Sequence, residues 1–572
     1  MSAPRGGVLD AELGSVLTRV VSLDAIDPGA RVEESTPTTV YPPMADPGIG
    51  FSAALAAARA QGGEMEPGVA LVHLHGLPRS AVFGLAGLPT TELSRQAALR
   101  RAGSAVVQVR STDPASLEGQ LIEVRARPLD LLIFTVAARQ AAERLMSGGG
   151  PRPRALPVMQ ALYNGPDGEY AALAEVLGGG VQLKRLPPLR TEANVVDVGP
   201  TEAALSALTS EILAADAQLA AVRREGFRLF TFASAFTAAT ETLGRLWAES
   251  RSDTAGPTAS RRNYVACAEL GGRFTELALA ASGGALRYVD DSLGDLVGLP
   301  GGEAAGGSRQ ESVVDLESIS AWLPFPMQPA ELADALANYL RRPFAFPATW
   351  GQLMLLAALG RLRLQRAWAE SRSLLSGDWR SAAGALVVGG GYFRHLPGPA
   401  LALALVLDGL QPLGVTEVYC DRAGLVPLDA AAGKLTVWPD ERWVPRLATV
   451  VAPSNLRLDW RRPHEDDLLA LVTVERQSSP KTTFRVVPGS LIRFPLRSGE
   501  RAHLGVHPVR EHDFGAGPGK PWTGEVTGGR CGLVFDARGR PVSLPRDPEV
   551  RRSKLLEWLN TLDIATGWGD GR

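Results

Sequence analysis

The chain has 572 residues, of which 45% are hydrophobic and 21% are charged, with a formal net charge of -2. That composition is typical of a folded protein with more than one core, and it excludes the strongly basic balance expected for nucleic-acid or anionic-membrane binding. No apolar run reaches the ~18–20 residues of a membrane span, no signal peptide is expected, and three widely separated cysteines predict no disulfide framework. We expect a cytoplasmic protein.

The first part of the chain predicts strands that alternate with helices. GVLDAELGS and LTRVVSLD read as two strands around a Gly-Ser turn, and a helix is predicted at about 50–60. Between 70 and 186, four apolar strand-like runs (VALVHLHG, SAVVQVR, LDLLIFTV and LPVMQALYN) are separated by helical stretches. This alternation is typical of a layered α/β domain.

The second part repeats the opening pattern. Residues 200–250 are helical in pattern and 251–260 form a turn-rich linker, after which NYVACAELGG and FTELALAAS read as a second strand–turn–strand. Helical patterns over 329–375 precede a strand, ALVVGGG, a helix from about Pro399 and another strand, VTEVYCD. From about Trp438 onward, short β-like runs between Gly/Pro turns predict a separate β-rich domain that a short helix closes.

Two of these turns share one chemistry: a Glu, an apolar residue and a Gly, then Ser or Gly, with a Thr three residues later. The first contains Glu12, Gly14, Ser15 and Thr18, and the second contains Glu269, Gly271, Gly272 and Thr275. A Gly-rich turn after a strand lets backbone N–H groups approach phosphate oxygens, and a carboxylate beside it could hold Mg²⁺ through water. Either turn alone would also suit a plain β-hairpin with a solvated Glu. Their agreement predicts an internal repeat of two related lobes.

A third glycine-rich turn follows the apolar strand ALVV. It consists of Gly389, Gly390 and Gly391. Because no side chain intervenes, such a turn can pack against the face of an adenosine. The alternative is a tight connection from strand to helix.

Together these motifs resemble the glutamate mutase L (MutL) family of the actin/Hsp70/sugar-kinase superfamily over nearly the full chain. Members carry D-x-G-S and D-x-G-G turns where this chain has Glu12 and Glu269, a Thr-Thr pair matched by Thr38 and Thr39, and a GGG segment. The most specific match is an LLD-x-x-x-P-x-G-V-T-x-L-x-x-D stretch, here VLDGLQPLGVTEVYCD. Its matching residues are Asp408, Pro412, Gly414, Val415, Thr416 and Asp421.

The resemblance implies an α/β fold with a two-lobed actin-like ATPase (RNase H-like) core and an additional β-rich domain. With the sequence pattern, it predicts a first lobe at 1–200, a second lobe with a helical insertion at 201–437 and the β-rich domain at 438–572. It also implies that ATP and Mg²⁺ bind at the three glycine-rich turns. In that interpretation Glu12 and Glu269 are the catalytic residues and hold the metal through water. The nucleotide-binding residues are Gly14, Ser15, Thr18, Gly271, Gly272, Thr275, Gly389, Gly390 and Gly391.

For function, the resemblance implies an accessory, chaperone-like ATPase for a coenzyme B12-dependent mutase. Both family aspartates are glutamates here, which places the carboxylate oxygens ~1 Å or more further out, and phosphoryl transfer is sensitive to such displacement. A catalytically degenerate nucleotide sensor or scaffold of the same fold is therefore an alternative. A small-molecule kinase is another, although the sequence identifies no catalytic acid or base for a substrate.

Other candidate sites have simpler structural interpretations. His503 and His507 lie along one predicted strand and read as surface histidines rather than as metal ligands, although His512 and Asp513 follow them. His73 and a second histidine two residues later share a strand face without further zinc ligands.

Two further segments only resemble phosphate-binding turns. DFGAGPGK (513–520) lacks the G-x-x-x-x-G-K-[ST] spacing and reads as a turn in the β-rich domain. In VVDVGP, Asp197 and Gly199 imitate a phosphate turn where the family has a non-catalytic strand end.

Overall fold

A computed structural model describes a defined part of the chain, and every structural statement below concerns that part. It comprises residues 7–13, 18–23, 31–35, 47–62, 65–73, 80–83, 105–109, 121, 129–135, 139–147, 155–164, 167–178, 181–186, 199–215, 219–251, 262–272, 274–281, 284–290, 316–341, 347–372, 378–439, 441–460, 467–477 and 479–564. These residues form two compact units: unit 1 contains those up to Ala235, and unit 2 contains those from Phe236 onward. Among them, no helix combines the length and the apolar character needed to cross a bilayer.

Unit 1 contains ten described strands and five described helices, and a sixth helix continues from it into unit 2. The strands are β1 (Gly7–Leu13), β2 (Thr18–Leu23), β3 (Arg31–Ser35), β4 (Met65–Val72), β5 (Ser80–Phe83), β6 (Ala105–Val109), β7 (Leu129–Phe134), β8 (Ala155–Tyr163), β9 (Val181–Arg185) and β10 (Arg228–Thr231). The helices are α1 (Pro47–Gly62), α2 (Arg139–Ser147), α3 (Asp167–Leu177), α4 (Gly199–Ala215), α5 (Ala220–Arg224) and α6 (Phe232–Arg251).

The first sheet of unit 1 has the strand order β10-β4-β1-β2-β3. β2 pairs antiparallel with both β1 and β3, whereas β4 is parallel to both β1 and β10. Apolar residues alternate along β1, and Leu9, Ala11 and Leu13 form one core with Phe51 and Leu55 of α1. Residues 200–250 are therefore not helical throughout: β10 lies within them and completes this sheet.

A second sheet follows in unit 1, with the order β6-β5-β7-β8-β9 and all neighbours parallel. Leu132 and Phe134 of β7 face a core shared with α2 and α3, whereas Ile133 faces Leu205 of α4. Helices thus cover both faces, which is the doubly wound arrangement. Of the four strands predicted between 70 and 186, the last three are β6, β7 and β8 of this sheet, whereas the first, VALVHLHG, is β4 of the first sheet.

Unit 2 contains the remaining described strands and helices. The strands are β11 (Tyr264–Leu270), β12 (Thr275–Ala281), β13 (Gly284–Asp290), β14 (Ala383–Gly389), β15 (Gly414–Asp421), β16 (Arg446–Ala452), β17 (Ala470–Arg476), β18 (Ser479–Val486), β19 (Leu491–Phe494), β20 (Arg501–Pro508), β21 (Trp522–Thr527) and β22 (Leu533–Asp536). The helices are α7 (Leu316–Ala321), α8 (Pro329–Arg341), α9 (Trp350–Ser371), α10 (Gly391–His395), α11 (Pro399–Gly409), α12 (Leu425–Ala432) and α13 (Pro548–Thr561).

The large sheet of unit 2 repeats the first sheet of unit 1. Its order is β13-β12-β11-β14-β15-β16-β22-β19, and its first five strands have the same succession of antiparallel and parallel neighbours. The register agrees as well: Glu12 is opposite Arg19 in β1–β2, and Glu269 is opposite Glu276 in β11–β12. The predicted internal repeat and the actin-like α/β core are confirmed by this shared order and register.

The C-terminal strands extend unit 2 in two ways. β16, β22 and β19 continue the large sheet beyond β15, while β18-β17-β20-β21 form a separate antiparallel sheet. One core lies between them, in which Val451 and Phe535 meet Val472 and Leu504. The predicted boundaries at 200/201 and 437/438 stay predictions, and the compact units divide at 235/236.

A buried network of charges joins α9, α11 and the segment after β22. Asp408 accepts a hydrogen bond from Arg361 Nε at 2.6 Å and from an Arg538 terminal nitrogen at 2.7 Å. Asp536 accepts two from Arg538, each 2.8 Å long, and one of 3.1 Å from Arg540. All five side chains are nearly inaccessible to solvent. Removing one partner of such a pair leaves a buried charge without a counter-charge, so the loss of any one member should destabilise the fold.

Replacing Asp536 by Asn should lower the free energy of unfolding at neutral pH by about 3–5 kcal/mol, because Arg538 and Arg540 lose a buried counter-charge. Burial by itself would raise the pKa of Asp536, but the charges and hydrogen bonds of the two arginines outweigh it and hold that pKa well below its usual range. The stabilisation is therefore present above the unfolded value of about 3.9 and is lost as the pH falls below it. Urea unfolding of wild type and variant at several pH values measures both effects.

The matched control for this variant is Glu143→Gln, which breaks an exposed pair with Arg139 on α2. We expect it to change stability by at most about 0.5 kcal/mol. A loss below about 1 kcal/mol for Asp536→Asn, or a loss that stays constant into acid, would contradict a structural ion network.

Candidate functional site

The turn between β11 and β12 is tightly closed. Pairing continues to its base, where Glu269 is opposite Glu276 and Leu270 is opposite Thr275. Gly271 N–H donates to the carbonyl of Phe274 at 3.0 Å. The second predicted phosphate turn is thus an ordered hairpin that presents Glu269 at the carboxyl end of β11.

Glu269 lies directly against the glycines that end β14. The parallel register places Glu269 beside Gly389. A Cβ at Gly389 would lie 2.9 Å from Glu269 Oε2, and one at Gly390 would lie 2.6 Å from Oε1 and 2.6 Å from the carbonyl of Leu270. Gly390 also has φ +101°, which side chains rarely adopt. These two glycines therefore allow the Glu269 carboxylate to rest on the backbone of the next strand.

Gly391 differs from its two neighbours. It begins α10, and a Cβ there would meet no atom within 4 Å. The structure thus brings Glu269 together with Gly389 and Gly390, and it leaves Gly391 with open space beside it.

A buried arginine on α9 holds the turn from the protein interior. Arg363 donates to the carbonyl of Gly271 at 2.8 Å, to that of Phe274 at 2.9 Å and, at 3.5 Å, to that of Gly272. Its guanidinium also lies over the ring of Tyr392, 5.2 Å from the centroid. The turn carbonyls therefore point toward the core. Arg363 was absent from the sequence-based candidates because it reads as one polar residue in a helix 92 positions from the turn.

The threonine of the turn has a structural position. Thr275 is completely buried, and its hydroxyl has no hydrogen-bond partner among the described residues. Next to it, Glu276 receives a 2.8 Å hydrogen bond from Arg287 Nε. The carboxylate opposite Glu269 is therefore neutralised within the sheet, and the role of Thr275 in nucleotide binding stays a prediction.

The stretch from Asp408 to Asp421 that carries the most specific motif is held by hydrogen bonds to buried side chains. Asp421, at the end of β15, accepts the N–H groups of Leu425 at 2.9 Å and Val426 at 2.8 Å, and so caps α12. Asp408 belongs to the charge network described above. These two matching aspartates hold helices and strands in place.

Arg262 holds the Gly-Val-Thr part of that stretch. One of its terminal nitrogens donates to the carbonyls of Leu413 at 2.6 Å and Val415 at 2.9 Å and to the Thr416 hydroxyl at 3.2 Å. A Cβ at Gly414 would collide with the guanidinium. Burial lowers the pKa of Arg262 to about 10, and the carboxylate of Asp513 partly opposes that shift.

The DFGAGPGK segment is a self-contained turn. Asp513 Oδ1 accepts the N–H groups of Gly515 at 2.7 Å and Gly517 at 2.9 Å. Because its own carboxylate occupies these donors, the loop does not present them to a phosphate. The predicted turn is confirmed.

In unit 1 the corresponding acid, Glu12, lies beside a histidine. Glu12 Oε1 lies 2.9 Å from Nε2 of His73, which follows β4 and stacks on Phe232 with ring centroids 4.0 Å apart. The sequence interpretation considered His73 only as a weak zinc ligand. The two homologous acids thus differ: Glu12 is hydrogen-bonded to a histidine, and Glu269 rests on glycines.

Several predicted residues lie outside the described part of the chain, namely Gly14, Ser15, Thr38, Thr39, His75 and Asp197. Thr18 is opposite Leu13 in the β1–β2 pairing. His503 and His507 are exposed on β20, as expected for surface histidines.

The described residues contain no group of three or more His, Cys, Asp or Glu side chains that could hold a metal ion. A magnesium ion needs fewer protein ligands, since it commonly binds one carboxylate and keeps several waters. Glu269 fits that mode because its oxygens lie at the glycine-rich turn. Glu12 has the equivalent position in the first sheet, and its Oε1 lies 2.9 Å from Nε2 of His73.

No known family model and no curated protein matches this chain. Solved structures with some similarity include (R)-2-hydroxyglutaryl-CoA dehydratase component A from Acidaminococcus fermentans (8% identity, TM-score 0.25, 75% of this chain and 96% of that chain). Others are the ethanolamine utilization protein EutJ from Carboxydothermus hydrogenoformans (10%, 0.25, 76% and 91%) and xylulose kinase from Rhodospirillum rubrum (13%, 0.28, 75% and 89%). These TM-scores support no argument about a site, so the fold assignment rests on strand order and register.

Gly390→Ala should lower the free energy of unfolding by at least about 2 kcal/mol, because the new methyl combines a positive φ with a clash against Glu269 and Leu270. Gly391→Ala is the matched control and should change stability by less than about 1 kcal/mol. Urea midpoints of the two variants measure the difference, and equal losses would contradict the close approach of β11 and β14.

Arg363→Met should lower the free energy of unfolding by about 2–4 kcal/mol, because it leaves the turn carbonyls buried without donors. Arg245→Met removes an arginine from an exposed pair with Glu249 on α6 and should cost at most about 0.5 kcal/mol. Hydrogen exchange of peptides covering 269–275 should accelerate only in Arg363→Met. Unchanged exchange there would show that the turn does not depend on this arginine.

Proposed function

We propose that this chain binds ATP at its glycine-rich turns, with Glu269 and the turn beside it as the core of the site. The observation that carries the proposal is the contact of the Glu269 carboxylate with Gly389 and Gly390, on a turn that Arg363 holds from behind. The Glu269 carboxylate itself lies over Gly389 and Gly390, whereas Gly391 at the start of α10 has open space beside it. A phosphorylated ligand can therefore approach the backbone at Gly391, next to that carboxylate. The turn residue Gly271 directly follows Leu270, whose carbonyl lies against Gly390.

A magnesium ion would accompany the nucleotide. Glu269 would hold it through water, and the ion would neutralise phosphate charge. This chain's own contribution is to orient the carboxylate: the sheet fixes its backbone, and the two glycines fix its side chain. The hydrogen bonds of Phe274 and Arg363 to the adjacent turn would keep its conformation unchanged when the charged nucleotide binds.

The physiological role that we propose is that of a MutL-like accessory protein, chaperone-like in action, for a subunit of a coenzyme B12-dependent mutase. It is supported by the resemblance of VLDGLQPLGVTEVYCD and of the three turns to motifs of that family. The structure gives the matching Asp408, Thr416 and Asp421 structural roles, which explains why the stretch would be retained even apart from catalysis.

A catalytically degenerate nucleotide sensor is the second candidate, and two observations favour it. Glu12 is hydrogen-bonded to His73, and Glu269 is opposite a second carboxylate, Glu276. Neither contact compensates for the extra methylene group that a glutamate has over an aspartate. Binding with little turnover is the expected behaviour of such a site. No described residue supports the small-molecule kinase alternative.

Mg·ATP at about 100 times its dissociation constant should stabilise the wild-type protein by ~2.7 kcal/mol. Glu269→Gln should weaken Mg·ATP binding about tenfold, because a carboxylate–metal-water contact is lost, while binding of ATP in EDTA should change little. Isothermal titration with and without Mg²⁺ measures both affinities. Glu249→Gln on α6 is the exposed control and should leave both affinities unchanged.

Turnover separates the two candidates. In the Glu12→Asp/Glu269→Asp double variant, a rise in steady-state ATP hydrolysis above wild type would identify a degenerate ATPase. Equal or lower hydrolysis with substantial wild-type turnover would identify a working ATPase adapted to glutamate. No binding of any adenine nucleotide by the wild-type protein would refute the proposal.

A further inference from the structure

A small cavity lies in unit 2 beside the buried charge network. Its lining includes Arg361, Asp408 and Arg538 together with Trp322 and Trp558. The cavity volume is about 10 Å³ for a water-sized sphere, which is room for about one water or one monatomic ion. It is separate from the glycine-rich turns and serves no part of the proposed nucleotide site.

Positive charge exceeds negative charge at this cavity. Three guanidinium groups, those of Arg361, Arg538 and Arg540, share two carboxylates, those of Asp408 and Asp536. Arg540 also donates to the carbonyl of Pro412, and the carboxyl end of α11 contributes roughly half a negative charge nearby. The remaining positive charge is buried, which is unfavourable without a further counter-ion.

The cavity also offers hydrogen-bond donors without acceptors. Both oxygens of Asp408 are occupied, one by Arg361 Nε and the other by Arg538. The buried Nε1 of Trp558 has no acceptor among the described residues. The Arg361 guanidinium donates to Asp408 through Nε and lies over the Trp322 ring, 5.4 Å from its centroid, so its terminal nitrogens can donate to a ligand. The side chains of Arg361 and Trp558 are each only 3% exposed. A ligand at this position must therefore accept hydrogen bonds rather than donate them.

We propose that this cavity binds a single halide ion, which is chloride under ordinary conditions. A halide supplies the missing negative charge and accepts from Arg361 and Trp558 at once, whereas water supplies no charge. Sulfate and phosphate exceed the available volume. The ion joins α13, which carries Trp558, to α9, which carries Arg361, and so fastens the C-terminal helix to unit 2.

The test is a titration of the full chain with sodium chloride in sodium gluconate at constant ionic strength, which keeps general screening fixed. The expected result is a saturable rise in Tm of at least about 2 °C, reproduced by bromide and not by sulfate. A linear response, or an equal response to sulfate, overturns the proposal.

Variants locate the effect. Trp558→Phe keeps an aromatic side chain and removes the Nε1 donor, so the chloride concentration at half-saturation should rise about tenfold. Arg361→Met should abolish the saturable response. Trp460→Phe is the matched control, because Trp460 stands beside Trp558 but donates to the Ser543 carbonyl at 2.9 Å. An unchanged response in Trp558→Phe, or the same change in Trp460→Phe, overturns the assignment.

Bromide crystals give a readout that does not depend on variant stability. An anomalous peak within hydrogen-bond distance of Arg361 and Trp558 is expected. Ordered water at that position in crystals grown with bromide would overturn the proposal.

Discussion

The close approach of β11 and β14 is the constraint on which the candidate site depends. Parallel pairing brings Glu269 beside Gly389, and the carboxylate then occupies the space that two side chains would otherwise need. Gly390, with φ +101°, lets the chain turn from β14 into α10, and a residue with a side chain would rarely adopt this conformation. Arg363 completes the arrangement, since it binds the hairpin carbonyls from the opposite side. The site is thus a backbone surface with one acid, set by sheet register rather than by a flexible loop.

Buried arginines organise most of unit 2. Arg262 holds the loop before β15, Arg363 holds the β11–β12 turn, and Arg538 connects α11 to the segment after β22. Each satisfies several carbonyl or carboxylate oxygens that would otherwise be costly to bury. This explains why the stretch from Asp408 to Asp421 contains a specific Gly, Thr and two Asp residues. Asp408, Gly414 and Thr416 serve these arginines, and Asp421 caps α12 while lying beside Gly389 in the β14–β15 pairing.

The sequence predicted the fold to a large extent because local patterns repeat. Each strand–Glu–x–Gly turn carries its own signal, so the two hairpins and their equivalence were predicted from the residues alone. β10 was missed because its four residues lie between two helical patterns and acquire a strand conformation only by pairing with β4. Arg363 and His73 were missed as site residues for a related reason. Their contacts join positions far apart in the chain, so the spacing of neighbouring residues does not predict these contacts.

Hydrogen–deuterium exchange with and without Mg·ATP tests the central claim most directly, since it reports on every turn of the full chain at once. The account predicts slower exchange in peptides covering Glu269 to Thr275 and Gly389 to Gly391 when the nucleotide is present. It predicts no change in the antiparallel sheet formed by β17, β18, β20 and β21. Unaltered exchange at both glycine-rich turns, with nucleotide binding shown independently, would contradict it.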